Sequence, residues 1–156
     1  MRWARAYLGA GLAIAALDAV WLTFAADALY RPNLPGLMMP EGFRLMPAVI
    51  FYLVYILGVV VFAVAPGLRN GRWTSAWTHG ALLGFVCYAT YDLTNQATLN
   101  VWSTTVTVAD LAWGTFLTAV GASAGYFAGR SGQPVVLSSP LAPALAQRGD
   151  APDISR

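Results

Sequence analysis

The sequence contains no lysine, one histidine, one cysteine and one glutamate in 156 residues. Each shortage removes a class of function. With no lysine and nine scattered arginines, there is no basic run to hold a nucleic-acid backbone, so nucleic acid is excluded as a partner. Cys87 has no second cysteine to pair with and lies in an apolar run as a packed residue. A single histidine, His79, excludes histidine-box di-iron chemistry for this chain alone. Charge of either sign is scarce. Charged residues are 10% of the chain, against roughly 25% in ordinary soluble domains. What fills the space is apolar: hydrophobic residues make up 58%. A water-soluble chain of this length has too little interior to hide them. The expected solvent is therefore a lipid bilayer.

Crossing a core of about 30 Å takes roughly 20 helical residues. Four windows qualify, at about 6–28, 47–65, 75–98 and 105–128. Backbone groups in lipid must be satisfied internally, and these runs are continuously apolar rather than alternating, which excludes a β-barrel. The expected fold is an all-α membrane protein, a four-transmembrane-helix bundle over residues 1–130. The first window is longer than the roughly 7–15 apolar residues of a signal peptide, and Asp18 interrupts it, so it reads as a retained helix. Residues 131–156, rich in Ser, Pro, Ala and Gln, read as a disordered cytoplasmic tail.

Arginine placement sets the expected direction. Arg2, Arg5, Arg69, Arg72, Arg130, Arg148 and Arg156 share one side, and Arg31 and Arg44 the other. This bias predicts both termini in the cytoplasm, and it argues against a dual-topology small transporter. Gly80 with Gly84, and Gly121 with Gly125 and Gly129, have the four-residue spacing that lets helix backbones approach. Pro32, Pro35 and Pro40 break residues 31–46 into an external loop whose apolar side chains lie on the bilayer surface or cover the helix ends.

Three acids, Asp18, Asp92 and Asp110, fall inside the windows. Each costs about 2.5–3.5 kcal/mol at a helix centre, and such residues are functional candidates by default. Counting from the nearest outer helix ends places them roughly 15, 9 and 8 Å below the external surface. Three helices thus put a carboxyl in one leaflet. Tyr88 and Asn95 share the face of Asp92. Trp21 and Trp113 each follow an acid by three positions and offer an indole N–H to a carboxylate across a helix interface. No arginine lies within the windows to pair with these acids, so at least one is expected to hold its proton at neutral pH. The candidate binding residues are Asp18, Asp92, Asn95, Asp110, Tyr88, Trp21 and Trp113. His79 is 13 residues before Asp92, roughly 20 Å along the axis, and does not belong with them. Oxygen ligands alone would favour a hard cation, but no metal is assigned, and the cofactor is left open. Asp18-Ala-Val-Trp21-Leu-Thr-Phe and Asp110-Leu-Ala-Trp113-Gly-Thr-Phe share one pattern, from quasi-symmetric halves of a site or from coincidence.

The run Tyr91-Asp92-Leu-Thr-Asn95-Gln-Ala-Thr-Leu99 with Trp102, followed by Asp110-Leu-Ala-Trp113-Gly-Thr-Phe116, resembles the bacterial membrane proteins grouped as domain of unknown function 2177. Asp18-x-x-Trp21 and Phe51-Tyr-Leu-Val-Tyr55 add to the resemblance, which covers roughly residues 5–130. It implies a four-helix protein of the bacterial inner membrane and no particular activity. Three functions stay open. The first is binding or handling of a lipid head group or small polar ligand through the outer-leaflet aspartates, with or without catalysis. The second is a proton- or cation-coupled carrier, which with so few helices needs a homo-oligomer. The third is an accessory subunit packed against a membrane partner, with no chemistry of its own.

Overall fold

The computed structural model describes residues 1–131, and all of its regular structure is helical. The expected tail lies outside the described residues, apart from Ser131. Four long helices follow one another: α1 (Arg2–Asn33), α2 (Leu45–Asn70), α3 (Trp73–Thr98) and α4 (Thr104–Arg130). By length and composition α1, α2 and α4 are able to cross a membrane. The expectation of four such helices is met only in part. α3 carries Thr74, Ser75, Thr78 and His79 at one end and Asp92, Asn95 and Gln96 at the other, which dilutes its apolar content.

α4 is the centre of the bundle. α1 packs on one side of it and α3 on the other, both antiparallel to it. Small residues make this close approach feasible. A side chain at Gly125 would run into the Ala6 carbonyl of α1, one at Gly121 into Ile14, and one at Gly80 into Thr118 and Ala122 of α4. On α1 the buried positions Ala6, Ala10, Ile14 and Asp18 recur every four residues, so the acid continues the stripe that faces α4. α2 closes the bundle through Ile56, Val59, Val60, Ala63 and Val64. It packs against α3 through Val60–Asn70 rather than through its first half. Elsewhere α2 presents Ile50, Phe51, Val54, Leu57 and Val61 outward, the apolar surface that lipid solvates.

Two features of the backbone escape the apolar pattern. α1 contains a π-helical turn at Ala26–Tyr30 and α2 another at Val60–Val64. Each ends two residues before a proline, Pro32 and Pro66. A proline has no N–H for the carbonyl four residues back and its ring crowds that carbonyl, so the ladder widens by one residue just ahead of it. Arg31 N–H accordingly reaches Ala26 O, and Ala65 N–H reaches Val60 O.

The ends are closed by short-range chemistry. Gly71 takes a left-handed conformation (φ 65°) that caps α2 and turns the chain into α3. Ser103 Oγ accepts the Thr105 N–H at 3.2 Å to start α4. At the arginine-rich end Arg5 donates to the Ser131 carbonyl at 2.6 Å, so the start of α1 and the end of α4 lie together.

Candidate functional site

Antiparallel packing of α1 on α4 brings Asp18 and Asp110 into one cluster with their own tryptophans. The indoles of Trp21 and Trp113 stack face to face, with centroids 4.5 Å apart and planes within 9°. Around this stack the two Asp-x-x-Trp segments exchange partners. Trp113 Nε1, from the α4 segment, donates to Asp18 Oδ1 in a long bond of 3.4 Å. Trp21 Nε1, from the α1 segment, donates to the Tyr30 hydroxyl at 2.9 Å, and Tyr30 donates on to Asp110 Oδ1 at 2.5 Å. The Tyr52 hydroxyl, from α2, donates to Asp18 Oδ2, also at 2.5 Å. Each acid thus receives one tyrosine hydroxyl and is tied, directly or through that tyrosine, to the indole of the opposite segment.

Asp92 is different. It is 0% exposed, and among the described residues no hydroxyl, amide or indole donates to its carboxyl oxygens. The group it faces is the Asp110 carboxyl, across the α3–α4 interface, and the two acids lie close enough to share a hydrogen bond, which requires one of them to hold a proton. A buried carboxyl has surrendered water, and a proton shared with a second acid replaces only part of what it lost. Among the described residues no cationic side chain compensates the cluster. Arg31, the nearest arginine in sequence to Tyr30, is paired with Asp27 at 2.9 Å and donates to the Pro40 carbonyl at 3.3 Å.

Tyr88 lies one helical turn before Asp92, and its ring covers Gly114, where any side chain would overlap it. Gly84 is likewise needed, because a Cβ there would meet Thr118 and the Gly114 carbonyl. Thr118 shares a 2.6 Å hydrogen bond with Tyr55 of α2. On its other side Tyr88 lines an apolar groove of about 300 Å³ with Phe51, Cys87 and Tyr91, between α2 and α3.

Of the residues singled out in the sequence, Asp18, Asp110, Trp21 and Trp113 form one connected group, with Asp92 and Tyr88 against it. Asn95 does not join: it lies beside Tyr91, a turn beyond Asp92. Its neighbour Gln96 builds the closure at the end of α3 instead, donating to Thr104 at 2.8 Å and accepting from Thr107 at 3.0 Å. Ser103 Oγ donates to Asn33 Oδ1 at 3.2 Å and ties this closure to the end of α1. His79 is exposed and bonds its own helix at the Ser75 carbonyl. Sequence reasoning missed Tyr30 and Tyr52 as members of the site. Tyr52 carried a signal in its place within an aromatic run. Tyr30 carried none, since it follows the apolar window and reaches Asp110 only by way of the π turn. No group of three or more His, Cys, Asp or Glu side chains suited to a metal ion occurs among the described residues.

Compared with known proteins, the family described as "Predicted membrane protein (DUF2177)" matches residues 3–127. No curated protein and no solved structure matches the chain.

Proposed function

The chain belongs to that family of predicted membrane proteins, and from this premise we propose that it binds the polar, hydrogen-donating end of a small or lipid-like ligand through Asp92 and Asp110. The observation that carries the reading is Asp92. Asp18 receives a tyrosine and a tryptophan of this chain and Asp110 a tyrosine, whereas Asp92 is buried with only the Asp110 carboxyl against it. A purely structural acid is expected to follow the first pattern, because a buried carboxyl whose only partner is a second acid is incompletely matched. A group kept in that state is suited to receive a donor from outside. A ligand with N–H or O–H groups supplies it, and a positive charge on that ligand would also offset the acids.

The proposed setting is the bacterial inner membrane with four crossings and both termini in the cytoplasm. α3 is 26 residues long and packs along α4 from Gly80 to Gln96, which supports its crossing with the others. Its polar residues at Asp92 and Gln96 are turned to α4 rather than to lipid. The arginines at the end where Arg5 meets Ser131 support the direction. The acids then lie in the outer half.

Native mass spectrometry of the protein, gently extracted with its lipids, tests the reading. A retained small-molecule mass is expected on the wild type and its loss in Asp92→Asn. A wild type without adduct, or an adduct indifferent to Asp92→Asn, sinks the proposal. Copurification with another membrane protein, lost in the same variant, would favour an accessory subunit.

A further inference from the structure

We propose a second ligand site, at the arginine-rich end of the molecule and separate from the acids: an anionic glycerophospholipid of the bilayer, seated along the groove between α1 and α2 with its phosphate on Arg69. Two independent features of the molecule meet there, an apolar groove and an excess of positive charge at its mouth.

The groove is lined by Trp3 of α1 and by Leu57, Val60, Val61, Ala65 and Arg69 of α2, and it holds about 310 Å³. Val60 and the small Ala65 are buried and form its floor, while Trp3, Leu57 and Val61 stand about half exposed beside them. Away from the arginines the two helices are tied together. Tyr7, one turn after Trp3, donates to the carbonyl of Leu53, one turn before Leu57, at 3.0 Å. From Leu57 to Arg69 the α2 axis rises about 18 Å, close to one leaflet of a core about 30 Å thick. In a bilayer the exposed walls are solvated by hydrocarbon, so an acyl chain matches both the lining and the length.

The second feature is charge. Arg69 lies in the last turn of α2, is exposed, and lines the groove. The guanidinium of Arg2 lies over the Trp3 ring, 5.1 Å from its centroid, so a second positive charge borders the same wall. Arg5, Arg72 and Arg130 lie at the same end. The acids among the described residues are Asp18, Asp27, Glu41, Asp92 and Asp110, and none of them lies at this end. The charge to be met there is negative. A guanidinium presents a fork of donors that phosphate oxygens accept two at a time. In the proposed topology this end faces the cytoplasm, where basic pockets between membrane helices gather anionic head groups. Trp3 suits the same level, since indoles settle at the head-group boundary. A zwitterionic lipid offers the same phosphate but offsets it with its own cation, so the anionic head is preferred.

The test uses the full protein, stripped of lipid in detergent, with dioleoylphosphatidylglycerol, dioleoylphosphatidylcholine or glycerol phosphate added. Binding is read by titration in native mass spectrometry, where the known mass of each lipid separates it from any ligand that depends on Asp92. Phosphatidylglycerol is expected to bind more tightly than phosphatidylcholine, and glycerol phosphate is expected not to displace it. Arg69→Gln is expected to weaken phosphatidylglycerol binding about fivefold, the share of one arginine at an anionic surface. Arg72→Gln removes the same charge from the same end outside the groove, and is expected to leave binding unchanged. Val61→Trp fills the groove from an exposed wall without a change of charge, and is expected to weaken binding. Arg69 and Val61 are both exposed, so both variants are expected to unfold at the wild-type temperature. Equal binding of the two lipids would overturn the proposal. Equal losses in Arg69→Gln and Arg72→Gln would reduce the attraction to the charge of the whole end. Binding indifferent to Val61→Trp would overturn the seat in the groove, and displacement by glycerol phosphate would assign Arg69 to a soluble phosphate ester instead.

Discussion

Asp18, Asp92 and Asp110 carry the same functional group into three different surroundings. Asp18 accepts from Tyr52 and Trp113, Asp110 from Tyr30, and Asp92 has only the Asp110 carboxyl against it. Replacing each by leucine separates a structural from a receptive acid. Asp18→Leu strands the Tyr52 hydroxyl and the Trp113 N–H. It is expected to lower stability by about 1–3 kcal/mol for each group left without an acceptor. Asp92→Leu strands no hydroxyl or indole and breaks up a buried pair of acids, so it is expected to be neutral or to raise stability by about 1–3 kcal/mol. Thermal unfolding of the two variants in one detergent makes the comparison. A loss in Asp92→Leu as large as in Asp18→Leu would mean that Asp92 holds the fold. The acids themselves were legible in the sequence, because charge inside an apolar window stands out. Their inequality was not, because donors come from residues far along the chain: Tyr52 is 34 positions from Asp18 and Tyr30 is 80 from Asp110.

Helices carry the next decision, and here prolines matter more than apolar content. The π turn at Ala26–Tyr30 shifts the face that α1 presents beyond it, and Tyr30 lies at its end. Each residue of an α-helix advances about 100° around the axis, so a ladder restored to regular α geometry would turn the Tyr30 hydroxyl away from Asp110. Pro32→Ala returns the missing N–H and allows that restoration. In a double-mutant cycle, Tyr30→Phe is expected to cost about 1.5–3 kcal/mol in the wild-type background, as for a bond to a charged group. In the Pro32→Ala background it should cost little. Equal costs in both backgrounds, measured by chemical or thermal unfolding, would show that the π turn does not position Tyr30. Helix existence and the close-packing glycines could be read from the sequence, since apolar length and four-residue spacing are local properties. The π turns could not: proline at 32 reads equally well as the end of a helix, and whether the chain widens its ladder or stops depends on what the following turn packs against. Here that is Asn33, which bonds both the Leu29 carbonyl and Ser103.

For the whole molecule, the question is direction. The arginine-rich end is built by Arg2, Arg5, Arg69, Arg72 and Arg130 at the starts and ends of helices, while the loop at 34–44 and the turn at 99–103 lie at the other end. With four crossings and both termini inside, a fluorescent reporter fused at the C-terminus should mature. Alkaline phosphatase inserted near Gly36, an exposed loop position, should be active. The reverse pattern would turn the bundle over and place the acids in the inner leaflet. An active phosphatase near Gly36 together with a dark C-terminal reporter would mean an odd number of crossings, with α3 outside the membrane.

The chain's sequence alone determined that it is helical and suited to lipid, because those properties follow from composition and from runs of local residues. It also marked where charge had been placed against that grain. Tertiary structure decided what the charges do. Antiparallel packing of α1 on α4 made two similar segments exchange tryptophans, and a proline-driven π turn delivered Tyr30 to Asp110. Neither reached Asp92, which was left buried against the Asp110 carboxyl. Hydrogen-bond partners separated by dozens of residues depend on how helices are paired and rotated, and no local pattern in the chain encodes that.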